Sequence, residues 1–219
     1  MINMIKNKII LLFILFQSVL VSCNKYTVHN TDDQVGISKV THYVVLNLIG
    51  NPFESVVVGG TYQDPGATAA ENGAPVDYSV SGSVDFNEPG IYDLVYSAVN
   101  KDGYTSSITR KIAVIPGADD PSKNISGTYA NVGSAALTAD ITKVAPGVYY
   151  TSNCWGGGST AVIQAYFFCT DGINITIPEQ SSAAGRMNGS GTYTAGLIAW
   201  TINLEDQGPL ISLKQWQQQ

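Results

Sequence analysis

The sequence predicts an all-β protein of two domains, a β-sandwich followed by a small antiparallel β-barrel or meander. Three observations predict it. Short runs such as Ile91–Val99 and Ile173–Ile177 alternate apolar and polar residues, the pattern of half-buried strands. Gly, Pro, Asn and Asp stand between these runs, where tight turns need them. No stretch carries the 3.6-residue apolar period of an amphipathic helix. Composition agrees: 22 Gly, 12 Tyr and abundant Thr, Ser and Val favour strands and turns. With 44% hydrophobic and 13% charged residues the chain is globular rather than disordered.

Residues 1–22 are expected to be a signal peptide. Lys6 and Lys8 give a positive start, and Ile9–Phe16 is an unbroken apolar run. That run falls short of the ~20 apolar residues that cross a bilayer. Leu20-Val21-Ser22-Cys23 resembles the lipobox of bacterial lipoproteins. The resemblance implies cleavage before Cys23 and a diacylglycerol plus an N-acyl chain, such as palmitate, on Cys23. Only a thiol can form that thioether. Several acyl chains hold a protein to a membrane stably, at ~0.8 kcal/mol per buried CH₂. No other cofactor and no metal are expected. Asn24 stands where enterobacterial sorting rules would place an Asp to retain a lipoprotein at the inner membrane, so the outer membrane is favoured, with the protein exposed at the cell surface.

Cleavage would remove two of the 11 basic residues and none of the 17 acids, so the net charge would fall from −6 to −8. Such a balance argues against nucleic acid as a partner, because phosphate contacts need a basic face. Residues 23–41 read as a polar, aperiodic tether.

The first domain spans 42–116. Its expected strands are Tyr43–Leu48, Phe53–Val58, Val76–Val84, Ile91–Val99 and Ser107–Ile115. Val76, Tyr78 and Val80 share a face, as do Tyr92, Leu94, Tyr96 and Ala98, and as do Ile108, Ile112 and Val114. Three segments carry a family signature. They are Gly60-Thr61-Tyr62-Gln63-Asp64-Pro65-Gly66-Ala67-Thr68-Ala69, the run from Glu88-Pro89-Gly90-Ile91-Tyr92 to Asp102-Gly103, and Arg110-Lys111-Ile112-Ala113-Val114. Together they resemble bacterial Ig-like domains of cell-surface proteins. The resemblance implies a spacer or adhesive module without catalytic residues.

Residues 117–123 (Gly117-Ala118-Asp119-Asp120-Pro121-Ser122-Lys123) have linker composition, which predicts modest independence of the two domains. The second domain spans 124–219. Gly127-Thr128-Tyr129, Gly147-Val148-Tyr149 and Gly191-Thr192-Tyr193 each read as the opening of a strand. Ala161, Ile163, Ala165, Phe167 and Cys169 form one apolar face, and Ile198, Trp200, Ile202 and Leu204 another. About seven strands are expected. The layout of lipobox, tether, Ig-like domain and Tyr- and Gly-rich β domain resembles small lipoproteins of Bacteroidetes. These accompany SusC/SusD-type nutrient importers, which implies a SusC-like barrel and a SusD-like lipoprotein as partners.

Nothing in the sequence assembles a catalytic constellation. His29 and His42 lack a nucleophile in a recognisable elbow, and both read as solvated surface side chains. No His/Cys cluster has zinc spacing. Asn100, Asp102 and Gly103 are explained by a β-turn. Gly156-Gly157-Gly158 has no following Lys and reads as a hairpin connection. Cys154 and Cys169 invite a disulfide in an oxidising compartment. A hairpin over 155–160 would separate them by roughly 26 Å at ~3.3 Å per residue, beyond reach. The candidate ligand- or partner-binding residues are therefore aromatic: Tyr150, Trp155, Tyr166 and Phe168, with Gln164 beside them. Tyr166 and Phe168 alternate away from the apolar face. Exposed aromatics stack on sugars or grip extended peptides. A barrel wall packed on both sides accounts for the same pattern.

The expected function is non-enzymatic: an accessory lipoprotein of a SusC/SusD-type importer that captures a glycan or oligopeptide. An adhesive or structural Ig-like surface protein is one alternative. A stand-alone lipocalin-like ligand binder or inhibitor is another.

Overall fold

The computed structural model describes residues 34–35, 38–159, 161–208 and 210–219. The expected signal peptide, the Cys23 lipid anchor and His29 lie outside them. One compact unit ends at His42 and a second spans Tyr43–Gln219. Within the first unit, Gln34–Val35 (β1) pairs antiparallel with Ser38–Lys39 (β2), inside the segment read as an aperiodic tether.

The Ig-like sandwich is built from seven strands: Val44–Leu48 (β3), Phe53–Val57 (β4), Ala67–Glu71 (β5), Ala74–Pro75 (β6), Ser79–Ser81 (β7), Gly90–Val99 (β8) and Thr105–Ile115 (β9). One sheet has the order β3-β5-β6 and the other β4-β9-β8-β7. Only β4 and β9 run parallel. The expected strand over Val76–Val84 is cut to three residues, and Tyr78 and Val80 are exposed.

The residues of the signature segments converge on one buried cation. Arg110 on β9 is fully buried. Its Nε lies 3.2 Å from Asp64 Oδ1. Its terminal nitrogens donate to the carbonyls of Asn51, Ile49 and Gly66 at 2.6–2.9 Å. The Tyr96 hydroxyl donates a short bond to Asp64, and Asp64 also accepts from the Gly66 amide. Gly66 has φ +83°, and a Cβ there would meet the Tyr78 hydroxyl at 2.9 Å. The signature Asp-Pro-Gly therefore positions a carboxylate and a tight turn around a guanidinium.

The second domain contains eight strands rather than about seven: Gly127–Asn131 (β10), Ser134–Ala145 (β11), Val148–Thr151 (β12), Ala165–Phe168 (β13), Asn174–Ser182 (β14), Gly185–Thr194 (β15), Leu197–Leu204 (β16) and Leu210–Gln218 (β17). Each pairs antiparallel with its chain neighbour. Pairing of β10 with β17, Asn131 opposite Trp216, closes the barrel. The expected barrel is thus an up-and-down one without a free edge. Gly191 does not open a strand. It sits in the middle of β15 opposite Trp200, where a Cβ would meet Trp200 Cβ at 2.5 Å.

The barrel interior is filled. Tyr149 stacks on Phe167 at 5.5 Å, and Phe167 meets Trp200 edge-on at 5.4 Å. Met187, Ile202 and Trp216 are fully buried in the same cluster. Large apolar side chains contribute ~1.5–3 kcal/mol each when buried. The connection 152–164 is not the short hairpin expected. It folds into the barrel end, where the Cys154 carbonyl accepts from both Trp200 Nε1 (3.0 Å) and Trp216 Nε1 (3.3 Å). Cys154 and Cys169 are both free and buried. Burial pushes their thiols up to about 12 and about 11.

The two domains are not independent. Residues 112–115 are all buried, including Ala113 and Ile115 on the face opposite Ile112 and Val114. Ala113 and Ile115 pack against Ala145, Val148 and Phe168 of the barrel wall. The linker is pinned as well. The Asp120 amide donates to Thr170 O, Lys143 pairs with Asp119 at 2.9 Å, and the Tyr149 hydroxyl donates to Lys123 O.

Candidate functional site

The outer face of β12 and β13 is made of two cross-strand pairs, Val148 with Phe168 and Tyr150 with Tyr166. Their partners Tyr149 and Phe167 point inward, as a period of two requires. The sandwich covers the first pair. Phe168 is 1% exposed and belongs to the interdomain core, so it offers no ligand surface. That corrects its expected binding role: the wall is packed on both sides there.

The second pair is left at the border of the contact. Tyr150 and Tyr166 are 5.3 Å apart and tilted by 54°. Phe53 of the sandwich packs on Tyr166 at 5.1 Å, and Lys111 Nζ approaches the same ring at 6.0 Å. Both tyrosines line an open groove of about 900 Å³ between the domains. Ile91, Asp93 and Lys111 form the sandwich wall; Gln164, Glu179, Ser181 and Arg186 contribute to the barrel wall.

Electrostatics in the groove are balanced. Lys111 donates to Asp93 at 2.7 Å. Arg186 lies 3.0 Å from Glu205, 3.1 Å from Asp206 and 3.9 Å from Glu179. Hydrogen bonds from the Arg186 amide and guanidinium hold Asp206 below its ordinary carboxylate value. Burial raises the Tyr150 hydroxyl, with the Tyr166 hydroxyl adding to it, so it remains a donor at neutral pH. The groove thus presents tilted aromatic rings, amide and hydroxyl groups and paired charges, a surface for polar, near-neutral ligands.

Gln180 explains the shape of the groove. Strand β14 shifts register between Ile177 and Gln180. The Gln180 side chain takes over the missing ladder, accepting from Tyr166 N at 2.9 Å and donating to Tyr166 O at 2.7 Å. Sequence reasoning missed Gln180, Lys111, Asp93 and Arg186, and no local pattern singles them out. The four consecutive apolar residues Ile112–Ile115 did carry a usable signal, since a strand buried on both faces reads that way.

Trp155 lies elsewhere. It packs on the barrel core beside the folded-in connection, with Lys214 Nζ 4.0 Å from its ring centroid. His42 is half-buried rather than solvated. Asn100 forms a turn in which its Oδ1 accepts from the amides of Asp102 and Tyr104. Among the described residues, no group of three His, Cys, Asp or Glu side chains is placed to hold a metal, and no helix is long and apolar enough to cross a membrane.

Comparison with known proteins bears on part of the chain. Flagellin B and Flagellin A of Rhizobium meliloti (strain 1021) are each 34% identical over 115 residues, covering 47% of this chain. The chain spans only 29% of the length of these curated relatives. A crystal structure of a lipoprotein from Bacteroides thetaiotaomicron aligns over 81% of this chain and 100% of its own, with 25% identity and a TM-score of 0.41. Residues 46–114 match the family model of the Ig-like domain of bacterial surface proteins. Their span covers the sandwich and its Arg110–Asp64–Tyr96 centre, so the chain carries a bacterial surface Ig-like domain.

Proposed function

We propose that this chain is a non-enzymatic, outer-membrane surface lipoprotein. It captures a glycan or oligopeptide in the groove between its domains and serves as an accessory of a SusC/SusD-type importer. The observation that carries the reading is the Tyr150–Tyr166 pair in a groove walled by two docked domains. Capture needs a preorganised site, and the apolar contact of Phe168 with Ala113 and Ile115 supplies the rigidity. The lipobox supports anchorage through Cys23. The Ig-like domain supports a place at the cell surface. The importer rests on the layout resemblance alone.

The packed interior, filled by Trp200, Trp216 and Phe167, speaks against a lipocalin-like mode, which needs a hollow barrel. An adhesive role has one observation of its own: Tyr43 and Tyr104 stand exposed and 5.6 Å apart on the sandwich.

The test is a mild-detergent pull-down of tagged full-length protein from its native membrane, with Cys23→Ala as control. A large outer-membrane barrel and a second lipoprotein should co-purify with the wild type only. A protein that emerges alone sinks the importer reading. Labelled oligosaccharide and oligopeptide pools then test the groove. Tyr150→Ala should weaken capture by about tenfold or more, as loss of an aromatic anchor does; unchanged capture removes the groove as the site.

A further inference from the structure

A second cavity, of about 400 Å³, opens at the barrel end and shares no lining residue with the groove. Asn131, Trp155, Gly156, Lys214 and Gln215 line it, with Val132 and Leu213 as its apolar rim. Trp155 was singled out in the sequence as a binding aromatic, and the groove does not use it.

Lys214 is the unusual member. It belongs to the inward-facing row of β17 with Trp216, and it pairs across the sheet with Trp200. Its ammonium lies over the Trp155 ring at 4.0 Å. Among the described residues no carboxylate lies within ion-pair distance of it, whereas Lys111 and Lys143 each have one. A cation–π contact offsets part of the lost hydration but provides no hydrogen-bond acceptor. Burial lowers its pKa, with the neighbouring Cys154 sulfur acting the other way. That direction is expected of an ammonium short of a counter-ion.

The neighbouring groups narrow the ligand. Asn131 Oδ1 accepts from the Gly133 amide, which turns its Nδ2 donors toward Gly156, 2.5 Å from where a Cβ would stand. A larger residue at 156 would fill the place, and Gly156 also has φ +78°. Gln215, next on β17, turns its side chain to the other face and borders the cavity with its backbone, whose carbonyl accepts from the Val132 amide at 3.0 Å. One cation, one side-chain amide and an indole suit a small ring that bears hydroxyls and one carboxylate. The closed barrel offers no strand edge to which an extended peptide could add.

We propose that the barrel-end cavity formed by Lys214, Trp155 and Asn131 binds the carboxylate-bearing ring of an acidic glycan, such as a hexuronate residue. The carboxylate pairs with Lys214 Nζ, the Asn131 amide meets a ring hydroxyl, and the ring's C–H edge rests on Val132. The site stands whether or not the groove captures anything.

Calorimetric titration of full-length protein in mild detergent tests it. The probes are a galacturonate tetrasaccharide, a neutral oligosaccharide of equal length, acetate, and a short peptide with a free C-terminus. The acidic oligosaccharide should bind, and Lys214→Met should weaken it by about tenfold or more, because a charge-assisted hydrogen bond is lost. Lys214→Met keeps the apolar stem over Trp155, and Lys214→Arg, which keeps the charge, should stay within a few-fold of wild type. Tyr150→Ala should leave this binding unchanged, which separates the site from the groove. The proposal is overturned by no binding of the acidic probe or by equal binding of the neutral one. Acetate or the peptide binding as tightly, or Lys214→Met having no effect, would overturn it equally.

Discussion

Where the barrel closes around Trp200, Trp216 and Phe167, the sandwich closes around a guanidinium. The barrel's interior is one continuous apolar cluster that includes five aromatic rings. The sandwich's own cluster is small: Val44, Ala69 and Ala98, with Leu46 and Val76 packed on it. Its largest fully buried side chains are Arg110 and Tyr96. The two domains thus differ in what a single substitution can remove. Apolar packing is distributed over many contacts, so its loss is graded. A buried charge with four acceptors is a single point, and removing it takes a donor from all four at once.

The largest expected effect follows from that. Arg110→Met should destabilise the protein by about 3–5 kcal/mol, the usual cost of orphaning one partner of a buried ion pair. The Asp64 carboxylate and the carbonyls of Ile49, Asn51 and Gly66 would each lose the guanidinium as a donor, while Asp64 keeps the Tyr96 hydroxyl and the Gly66 amide. Urea unfolding measures it. A loss below about 1 kcal/mol would mean that the polar centre is incidental to the sandwich.

How much of this was legible in the sequence depends on the region. Alternation in Ile198–Leu204 named the inner face of β16 correctly, and Ile198, Trp200, Ile202 and Leu204 are all buried. The Ig-like signature located the sandwich, because its Asp-Pro-Gly is tied to one turn and one cation. The interdomain contact was not legible. Phe168 and Tyr166 have the same parity on β13, yet one is buried and the other lines a groove. That difference is set by where β9 lands, which is a long-range fact that no local period encodes. The fold of residues 152–164 was hidden for a similar reason, since its anchor is a backbone carbonyl, that of Cys154, which every residue has.

The barrel should in turn be the more sensitive domain to alkali. Both barrel thiols have folded values well above their ordinary one, Cys154 at about 12 and Cys169 at about 11. The folded state therefore keeps protons that the unfolded chain gives up above pH ~9. Stability from this source is fully present below pH ~9 and falls as pH rises toward the folded values. Between pH 8 and 10.5 the loss should be on the order of 4 kcal/mol, about 2 kcal/mol from each thiol, at 1.36 kcal/mol per unit of pH above the unfolded value. Urea midpoints under reducing conditions at the two pH values measure it. In Cys154→Ala the slope should shrink by about half; an unchanged slope would assign the alkaline sensitivity to other groups.

The smallest effect sharpens the comparison at the level of two hairpins. Both domains contain a two-residue turn with positive φ at both positions. In the sandwich Asn72-Gly73 joins β5 to β6, with φ 49° and 81°. In the barrel Ala195-Gly196 joins β15 to β16, with φ 51° and 84°. These angles are those of a type I′ turn, which favours Asn-Gly because Asn tolerates the left-handed region better than Ala does. The sandwich hairpin has the favoured pair, and the barrel hairpin carries a strained alanine. Ala195→Asn should therefore stabilise the protein by roughly 0.5–1 kcal/mol, and Asn72→Ala should destabilise it by a similar amount. Thermal unfolding of the two variants side by side checks both signs. If Ala195→Asn is neutral, the barrel's packed interior dictates that turn without help from its sequence, as a domain held by distributed apolar contacts would allow.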